Sequence, residues 1–490
     1  MAPLKRVVLA RSAMCSSVTE RFLPLGLLYL SSYLRKHEPG VDVQIVDLFV
    51  DYPDPRDAAA RIVALEPDLV GIGSFNVDGA VAHQLARFTK QALPGVPIVF
   101  GGPYASCSWR SILRDVNVDA AAIGEAEETF VDLVRAIGAG RDLAEVAGLA
   151  VRGPDGQAFQ TPERPFIQDL DAIPMPAWDL VRFSDYDFSF ANQYLFVERR
   201  NAVIFTSRGC PYRCSYCHHV QGKKFRSRSP QNVIEELREL HDRYGVRDVL
   251  VQDDIFNFDL ARAKEVCGAV IESGLRFNWS FPNGLRGEII DDELLDQFKR
   301  MGTIFAAFAI ETASEERQKT LGRRSQIGKI AETIRKCSAR GIFTHCFFMI
   351  GFEGETRDEM EATIDLACSL PLNSISLSIV NYYDDSVAPD AGEGHRTPLT
   401  LDAITGYDYQ TPKSQRSRVS DEELLQIRNR GYRRFYANPS RVLRILRQTP
   451  NRSQLVYKGW IAAQRALNGR PRSASGSPGL EPATAAAPLA

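Results

Sequence analysis

Residues 208–219 read RGCPYRCSYCHH and place three cysteines, Cys210, Cys214 and Cys217, within eight positions. The 490-residue chain has nine cysteines, and the other six are isolated inside apolar stretches. Free cysteines in apolar surroundings are usually buried, so we expect these six to be core thiols and not a disulfide framework. They are Cys15, Cys107, Cys267, Cys337, Cys346 and Cys368. The clustered three call for a separate, chemical explanation.

The C-x3-C-x2-C spacing lets one loop supply three ligands to a 4Fe-4S cluster, which usually takes four cysteines. With three ligands, one iron keeps an open coordination position at which a substrate or cofactor can bind. Two alternatives remain open: a structural zinc site with His218 or His219 as fourth ligand, and three ordinary cysteines. Zinc sites normally join two separated C-x2-C-like pairs, and the sequence has no second pair.

The cysteines follow the first of six predicted strands that alternate with amphipathic segments. This pattern predicts a partial (β/α)6 TIM-like barrel over residues 201–383, whose active site lies at the carboxyl ends of the strands. The six strand candidates are AVIFTS (202–207), DVLVQDD (248–254), FNWSFPNG (277–284), TIFAAFAIE (303–311), FTHCFFMIG (343–351) and SISLSIVNYY (374–383). The cysteine loop is therefore expected on the active-site face.

Residues 1–145 also alternate short apolar runs with helical patterns, which predicts an α/β domain with a doubly wound, Rossmann-like parallel sheet. Such sheets bind ligands beyond the carboxyl ends of their strands. The segment VGIGSF (70–75), followed by Asn76, lacks the third glycine of a dinucleotide fingerprint. We therefore do not expect a nicotinamide cofactor.

The remaining segments connect or follow these two domains. Residues 146–200 are rich in Pro and Asp and are predicted to be a linker over a surface. Residues 384–468 form a C-terminal region expected to be mainly helical. Ser420 and Glu423 form a capping box that predicts a helix to about Tyr436, with a second helix from Pro439. The segment 384–419 has no clear period and no assigned role, and residues 469–490 are expected to be disordered.

Composition excludes only extremes. The formal net charge is −2, with 44 % hydrophobic and 24 % charged residues, so nothing in the bulk charge indicates a nucleic-acid partner. The apolar run in the first residues is too short and too interrupted for a signal sequence. The sequence also contains no run of 18 apolar residues, the length that a membrane-spanning helix would need. We expect a cytoplasmic protein with no membrane partner.

The three-cysteine loop after a first barrel strand, with Tyr216 before the last cysteine, resembles the radical S-adenosylmethionine enzymes over residues 200–383. The resemblance implies that the cysteines hold a 4Fe-4S cluster whose open iron chelates the amino and carboxylate groups of S-adenosylmethionine. Reductive cleavage of that cofactor yields a 5′-deoxyadenosyl radical. The resemblance also implies a small-molecule substrate and an electron donor such as a flavodoxin or ferredoxin.

Contacts to S-adenosylmethionine are implied near Tyr216 and at the ends of the second to fifth strands. Gln252, Asp253 and Asp254 end the second strand, where an ammonium group needs acceptors. Either aspartate would also suit the cap of the next helix. Arg286 follows the third strand, where a guanidinium can pair with the methionine carboxylate; the alternative is a surface salt bridge.

Two further positions complete this implied site. Glu311 ends the fourth strand and resembles the family's ribose-contacting position. Gly351, in MIGFEGE, resembles the glycine motif that lets the backbone approach adenine; the alternative is a glycine needed only for the turn. The chain departs from the family after the sixth strand, so Tyr382, Tyr383 and Asp384 receive no role.

The order of four N-terminal stretches resembles the cobalamin-binding domain that precedes the barrel in the subclass containing the class B methyltransferases. These stretches are 24–47, 67–75, 97–106 and 123–130. The implied cobalamin contacts are Ser74, Asn76, Gly101, Gly102 and Tyr104. No D-x-H-x-x-G motif is present, and His83 is expected on a helix surface, so that motif supplies no axial ligand. The alternative is a degenerate domain that binds no corrin.

Three function classes follow. The first is a cobalamin-dependent radical methyltransferase acting on an unactivated carbon or a phosphinate phosphorus of a small molecule. The second keeps both cofactors but performs an oxidative cyclisation or rearrangement, because the radical step is shared. The third is a metal-stabilised nucleic-acid-binding or scaffold protein, supported by the basic run QGKKFRSRS (221–229), which would otherwise be a solvated loop.

Overall fold

The computed structural model describes residues 4–13, 22–50, 52, 54–186, 200–217, 220–323, 325–382, 411–450 and 455. An N-terminal sheet domain is followed by a half-open barrel, and two helices at the C-terminal side pack on the barrel. The α/β class and the order of the regions are as predicted. Residues 383–410, which include most of the segment without a role, and residues 469–490 lie outside the described part.

The N-terminal sheet has the strand order β2-β1-β3-β4-β5-β6-β7, in which β1 to β5 are parallel and β6 and β7 are antiparallel. Helices α1 and α5 cover one face, and α2, α3 and α4 cover the other. The strands are β1 (Arg6–Arg11), β2 (Asp42–Asp47), β3 (Leu69–Gly73), β4 (Ile98–Gly101), β5 (Ala120–Ala122), β6 (Leu149–Arg152) and β7 (Ala158–Gln160). The helices are α1 (Leu25–His37), α2 (Pro55–Ala64), α3 (Gly79–Ala92), α4 (Gly102–Ile112) and α5 (Glu127–Ala139).

The segment predicted to be a linker from residue 146 contributes more structure than expected. Its strands β6 and β7 form a hairpin that extends the sheet beyond β5. The intervening residues 153–157 (GPDGQ) form the hairpin turn, which is closed by a hydrogen bond from the Gly153 N–H to the Gln157 carbonyl (2.8 Å). Farther along, Trp178 and Phe183 are buried in the core shared with the barrel.

The barrel has six parallel strands in the order β8-β11-β12-β13-β14-β15, which confirms the predicted architecture. A short antiparallel pair, β9 and β10, follows β8. The strands are β8 (Asn201–Ile204), β9 (Ser207–Arg208), β10 (Arg226–Ser227), β11 (Asp248–Val251), β12 (Asn278–Leu285), β13 (Thr303–Glu311), β14 (Phe343–Ile350) and β15 (Ser374–Ile379). The helices are α6 (Pro230–Asp242), α7 (Leu260–Ser273), α8 (Asp292–Met301), α9 (Glu315–Thr320), α10 (Ile327–Ala339) and α11 (Arg357–Ser369).

The first of the two C-terminal helices packs beside β15 at the open side of the barrel. Helix α12 (Asp421–Tyr436) begins where the Ser420 hydroxyl accepts a hydrogen bond from the Glu423 N–H, as predicted, and α13 (Pro439–Gln448) follows. The exposed edge of β15 is paired by side chains of α12: the Leu377 N–H donates to the Tyr432 hydroxyl, and Arg428 Nε donates to the Leu377 carbonyl, both at 2.9 Å. Pairing an edge strand in this way prevents association with another chain.

Helix α13 lies at the end of the barrel away from the cysteines. Its Ile445 packs against Phe305 and Phe343, which stand at the amino ends of β13 and β14. This helix therefore covers the base of the barrel.

The isolated cysteines behave as predicted where the structure describes them. Cys267, Cys337 and Cys346 are buried, Cys107 and Cys368 are half-buried, and all five are free thiols. Cys15 lies outside the described residues. Within the described part of the chain, no helix is long and apolar enough to cross a membrane.

Candidate cluster and corrin site

The three clustered cysteines lie in one loop that is closed at its base by β9 and β10. Cys214 is buried, Cys210 is half-buried and Cys217 is exposed. The loop turns sharply at Gly209, where φ is +84° and an added Cβ would lie 2.3 Å from the Lys224 carbonyl oxygen. Only glycine fits this position, so the backbone fixes the entry to the loop.

The chemistry of the three thiols suits a cationic iron cluster. Burial raises the pKa of the half-buried Cys210, and the neighbouring Asp254 and Cys214 raise it further. Adjacent thiolates repel one another, so bound positive charge is needed to keep them together as ligands, and iron supplies it.

The zinc alternative depends on two histidines that the described part of the chain does not include. Among the described residues, no three His, Cys, Asp or Glu side chains converge as the ligands of one ion would. His218 and His219, the proposed fourth zinc ligands, lie outside the described residues. The donor set that is described fits a cluster with one iron left open to another ligand.

Asp253 holds the start of the cysteine loop. Its buried carboxylate accepts hydrogen bonds from the Thr206 N–H, the Thr206 hydroxyl and the Ser207 hydroxyl, all at 2.6 Å. Asp254 accepts another from the Gly209 N–H at 3.2 Å. The helix-cap alternative was wrong for both residues, because Asp259 caps α7 by accepting from the Arg262 N–H.

Gln252 and Arg286 stand beside this loop at the ends of β11 and β12. Gln252 is half-buried, and its carbonyl accepts from Asn283 Nδ2 at 2.9 Å. Arg286 is 8 % exposed, pairs with Glu288 and lies 4.0 Å from the Tyr212 ring centroid in the cysteine loop. The surface-salt-bridge alternative was therefore wrong, because the pair is buried. Contacts of Gln252 and Arg286 with S-adenosylmethionine remain predictions.

Glu311 and Tyr216 meet in a buried polar group under the cysteines. The Tyr216 hydroxyl donates to Glu311 Oε1 at 3.3 Å and accepts from Arg323 Nη1 at 2.8 Å. Burial raises the pKa of Glu311, and Arg323, 3.6 Å away, opposes that rise. Glu311 also has φ of +70°. A strained, buried carboxylate at a strand end is typical of a ligand site, which agrees with its predicted role.

Gly351 is required by the turn after β14. Its φ is +90°, and an added Cβ would lie 3.1 Å from Leu424 Cδ2 of α12. Its N–H donates to Glu355 Oε2 at 2.7 Å, and the Phe352 N–H donates to the same atom at 3.0 Å. These facts support the turn alternative, and an adenine contact stays a prediction.

Strand β15 contributes a row of serines to the inner face of the barrel, beside the aromatic Phe305 and Phe347 of β13 and β14. In β15 the apolar Ile375, Leu377 and Ile379 pack outward, so the alternating serines face inward. His345 bridges two of them, with Nδ1 2.8 Å from the Ser374 hydroxyl and Nε2 3.1 Å from the Ser376 hydroxyl. Burial lowers the pKa of His345 to about 4, so the ring is neutral at pH 7.

The carboxyl edge of the N-terminal sheet presents a shallow, partly apolar surface. An added Cβ at Gly101 would meet no atom within 4 Å, whereas one at Gly102 would lie 2.9 Å from the Ser74 carbonyl oxygen. Phe75, between Ser74 and the half-buried Asn76, is 58 % exposed. A glycine floor beside an exposed ring fits a large planar ligand such as a corrin.

Three residues of this domain differ from expectation: Ser74, predicted to contact cobalamin, is 4 % exposed and donates to the Phe75 carbonyl, and Tyr104 and His83 are also buried. Tyr104 was predicted to contact cobalamin, but its side chain is buried in the core and its hydroxyl lies 3.1 Å from His83 Nε2. His83, expected on a helix surface, is 3 % exposed, and its Nδ1 lies 2.6 Å from Asp115 Oδ2. The polar sequence of α3 led us to expect an exposed His83. Its partners Asp115 and Tyr104 are too distant in sequence for the pattern to indicate a buried contact.

The basic run 221–229, whose alternative interpretation was a solvated loop, is only partly solvated. Arg226 is buried and bonded to Glu125, and Arg228 is buried and paired with Glu236. Glu125 and Glu236 compensate these two positive charges inside the protein. Neither arginine is therefore accessible to a polyanion such as a nucleic acid. These two arginines therefore give no support to a nucleic-acid-binding function, and Lys224 is the exposed cation of the run.

Sequence reasoning missed several residues of this region. Neither Arg323 nor Phe75 belongs to a sequence pattern that would indicate a ligand site. The alternating serines of SISLSI could have been recognised, because a period of two on a buried strand assigns one set to each face. The missed residues are Phe75, Glu125, Glu127, Arg208, Arg226, Arg323, His345, Ser374, Ser376 and Ser378.

Replacing Asp253 tests its hold on the cysteine loop. Asp253→Ala leaves one N–H and two hydroxyls of the loop base without their acceptor, so we expect the reconstituted chain to retain about half of the wild-type iron or less. Asp259→Ala is the matched control, since it removes only a helix cap worth about 1 kcal/mol. Iron per chain after desalting is the measurement. Equal iron in both variants would contradict this role.

The pH dependence of Glu355 gives a second test. Burial raises its pKa from 4.5 to about 7. Because the folded-state value is the higher one, the stabilisation from the protonated carboxyl is complete below about pH 4 and is lost as the pH rises through 7. Glu355→Gln should therefore raise the free energy of unfolding by about 2–3 kcal/mol at pH 8 relative to its effect at pH 4.5.

Urea denaturation at the two pH values measures this difference. Glu353→Gln is the control, because Glu353 is exposed two residues away. A Glu355→Gln effect that is the same at both pH values would show that the carboxyl titrates normally.

Comparison with known proteins agrees with this arrangement. Residues 204–367 match the radical SAM superfamily, and residues 11–134 match the B12 binding domain. An uncharacterized methyltransferase of Pyrococcus horikoshii is 30 % identical over 85 % of this chain and 88 % of its own length. The cytidylyl-2-hydroxyethylphosphonate methyltransferase of Streptomyces wedmorensis is 30 % identical over 72 % of this chain and 74 % of its own.

A cyclase and a solved structure are also similar. The anaerobic magnesium-protoporphyrin IX monomethyl ester cyclase of Rubrivivax gelatinosus is 26 % identical over 85 % of this chain and 74 % of its own. The methyltransferase TsrM of Kitasatospora setae, solved with cobalamin and a [4Fe-4S] cluster, shares the fold with a TM-score of 0.66 at 18 % identity, covering 90 % of each chain. The chain therefore belongs to the cobalamin-binding radical S-adenosylmethionine enzymes, whose cofactors are a 4Fe-4S cluster, S-adenosylmethionine and cobalamin.

Proposed function

We propose that this enzyme methylates an unactivated carbon or a phosphinate phosphorus of a small molecule. The observation that supports this most is the position of the cysteine loop. An added Cβ at Gly124, two residues after β5 of the corrin domain, would lie 3.6 Å from the carbonyl oxygen of Val220 in that loop. The cluster and the corrin together supply hydrogen abstraction and a transferable methyl group, and both need access to one substrate.

The residues of the chain have separate parts in this proposal. Cys210, Cys214 and Cys217 would hold the cluster, and Glu311, held by Tyr216 and Arg323, would orient the nucleoside of S-adenosylmethionine. Gly101, Gly102 and Phe75 would support the corrin. A cofactor held by rigid strand ends is positioned more accurately than one held by loops alone.

The serines of β15 support a substrate with an uncharged polar portion. Serine hydroxyls and a neutral imidazole can donate and accept hydrogen bonds but cannot balance an ionic group. Ser376 and Ser378, both half-buried, would contact that portion. A charged group of the substrate would lie outside this inner wall.

An electron donor is needed to reduce the cluster. Arg213 and Lys224, in the cysteine loop, are exposed. Exposed positive charge next to a buried redox centre suits an acidic donor such as a flavodoxin or ferredoxin, because complementary charge accelerates association. We include such a donor in the proposed reaction.

Oxidative cyclisation or rearrangement is the second candidate, favoured by the similarity to the Rubrivivax cyclase. It would use the same two cofactors, so the residues that bind them do not distinguish the two functions. The products do distinguish them, because methylation adds one methylene to the substrate mass.

A product assay tests the proposal. The reconstituted enzyme, supplied with S-adenosylmethionine, a reductant and a panel of small molecules that includes phosphinates and their nucleotide conjugates, should form S-adenosylhomocysteine, 5′-deoxyadenosine and a product heavier by one methylene. The variant with all three clustered cysteines replaced by Ala should form no 5′-deoxyadenosine. A product of unchanged mass, or one lighter by two hydrogens, without S-adenosylhomocysteine, would refute methyl transfer and support the cyclase alternative.

A further inference from the structure

The base of the cysteine loop is fixed from outside the barrel by one carboxylate. Arg208 and Arg226 stand directly opposite each other on β9 and β10, at the two ends of the loop. Glu125, from the loop after β5 of the N-terminal domain, accepts from Arg226 Nη1 at 2.9 Å and from Nη2 at 2.7 Å. Its Oε1 also lies 3.4 Å from Arg208 Nη1.

Neighbouring groups complete this ion-pair network. Arg208 Nη2 lies 2.7 Å from Glu127 Oε1, and the Arg208 guanidinium lies 5.2 Å from the Tyr29 ring centroid. Burial acts against the charge of Arg208, but Glu127 and Glu125 more than offset it, so the pKa of Arg208 lies above its usual value. The four charged side chains of the network, Arg208, Arg226, Glu125 and Glu127, are each at most 8 % exposed.

Removing Glu125 would leave two arginines facing each other across a two-stranded ladder. Like charges in that arrangement repel, and both would be buried with less compensation. The Arg226 hydrogen bonds to the Ile167 and Gln221 carbonyls, both at 2.7 Å, would remain, but these acceptors are neutral. The loop base is therefore stable in this form only while the N-terminal domain supplies its carboxylate.

We propose that Glu125 is a positioning residue that fastens the cluster loop to the corrin-binding edge, so that the two cofactors keep a fixed separation. Glu125 follows Gly124 at the carboxyl end of β5, next to β4, which ends at Gly101. A displacement of that edge is thus transmitted to both ends of the cysteine loop. The purpose of this link rests on the proposed function, but its existence does not.

Hydrogen exchange on the full-length chain tests the link. In Glu125→Gln, amides of residues 209–217 and 220–225 should exchange at least about tenfold faster than in wild type, because the loop base opens locally without its acceptor. Glu236→Gln is the matched control: Glu236 is equally buried and paired with Arg228, but within the barrel itself. It should change exchange in the loop by less than about threefold.

Two further measurements separate positioning from general instability. Glu125→Asp keeps the negative charge but has a shorter side chain. We therefore expect this variant to fold, while the amides of its cysteine loop still exchange faster than those of the wild type. In enzyme loaded with both cofactors, pulsed electron paramagnetic resonance between the reduced cluster and cob(II)alamin should give a broader distance distribution for Glu125→Asp than for Glu236→Gln.

The outcomes are distinct. Faster loop exchange in both Glu125 variants than in Glu236→Gln supports the proposal. Equal loop exchange in Glu125→Asp, Glu236→Gln and wild type, or equal distance distributions, overturns it. The exchange experiment does not depend on turnover, so a chain that methylates nothing could still show this link, and a failed link would not refute methyl transfer.

Discussion

The carboxylate of Glu125 between Arg208 and Arg226 is the contact on which the arrangement of the two domains depends. It replaces a repulsion between two guanidinium groups by a bidentate ion pair shielded from water, where electrostatic interactions are strong. Because the two arginines flank the cysteine loop, the contact that joins the domains also defines the base of the cluster site. Asp253 and Asp254 hold the same segment from within the barrel, so the loop is fixed on two sides.

This arrangement brings two ligand-binding edges together. Parallel sheets bind ligands at the carboxyl ends of their strands, and here those ends of the N-terminal sheet and of the barrel meet at the cysteine loop. The base of the barrel is covered by α13, and the edge of β15 is paired by α12. Substrate would therefore reach the serines of β15 from the side on which the cofactors lie.

Much of the fold could be predicted because it follows from local patterns. The six barrel strands, the parallel N-terminal sheet and the helix starting after Ser420 each have a short-range signal in hydrophobic period or capping. The cysteine triad was found because its chemistry requires close spacing. By contrast, the partners of Arg226, Arg323 and His83 are 101, 12 and 32 residues away in Glu125, Glu311 and Asp115. A buried ion pair between distant residues looks like ordinary surface charge in the sequence, which is why the basic run was misinterpreted.

Quantifying metal and corrin in protein reconstituted without oxygen tests the assignment of both cofactor sites most directly. The wild type should bind about four irons and one corrin per chain, and the variant with Cys210, Cys214 and Cys217 all replaced by Ala should lose the iron but keep the corrin. Iron without corrin in the wild type would contradict the role of the N-terminal edge. Zinc in place of iron would contradict the radical mechanism itself.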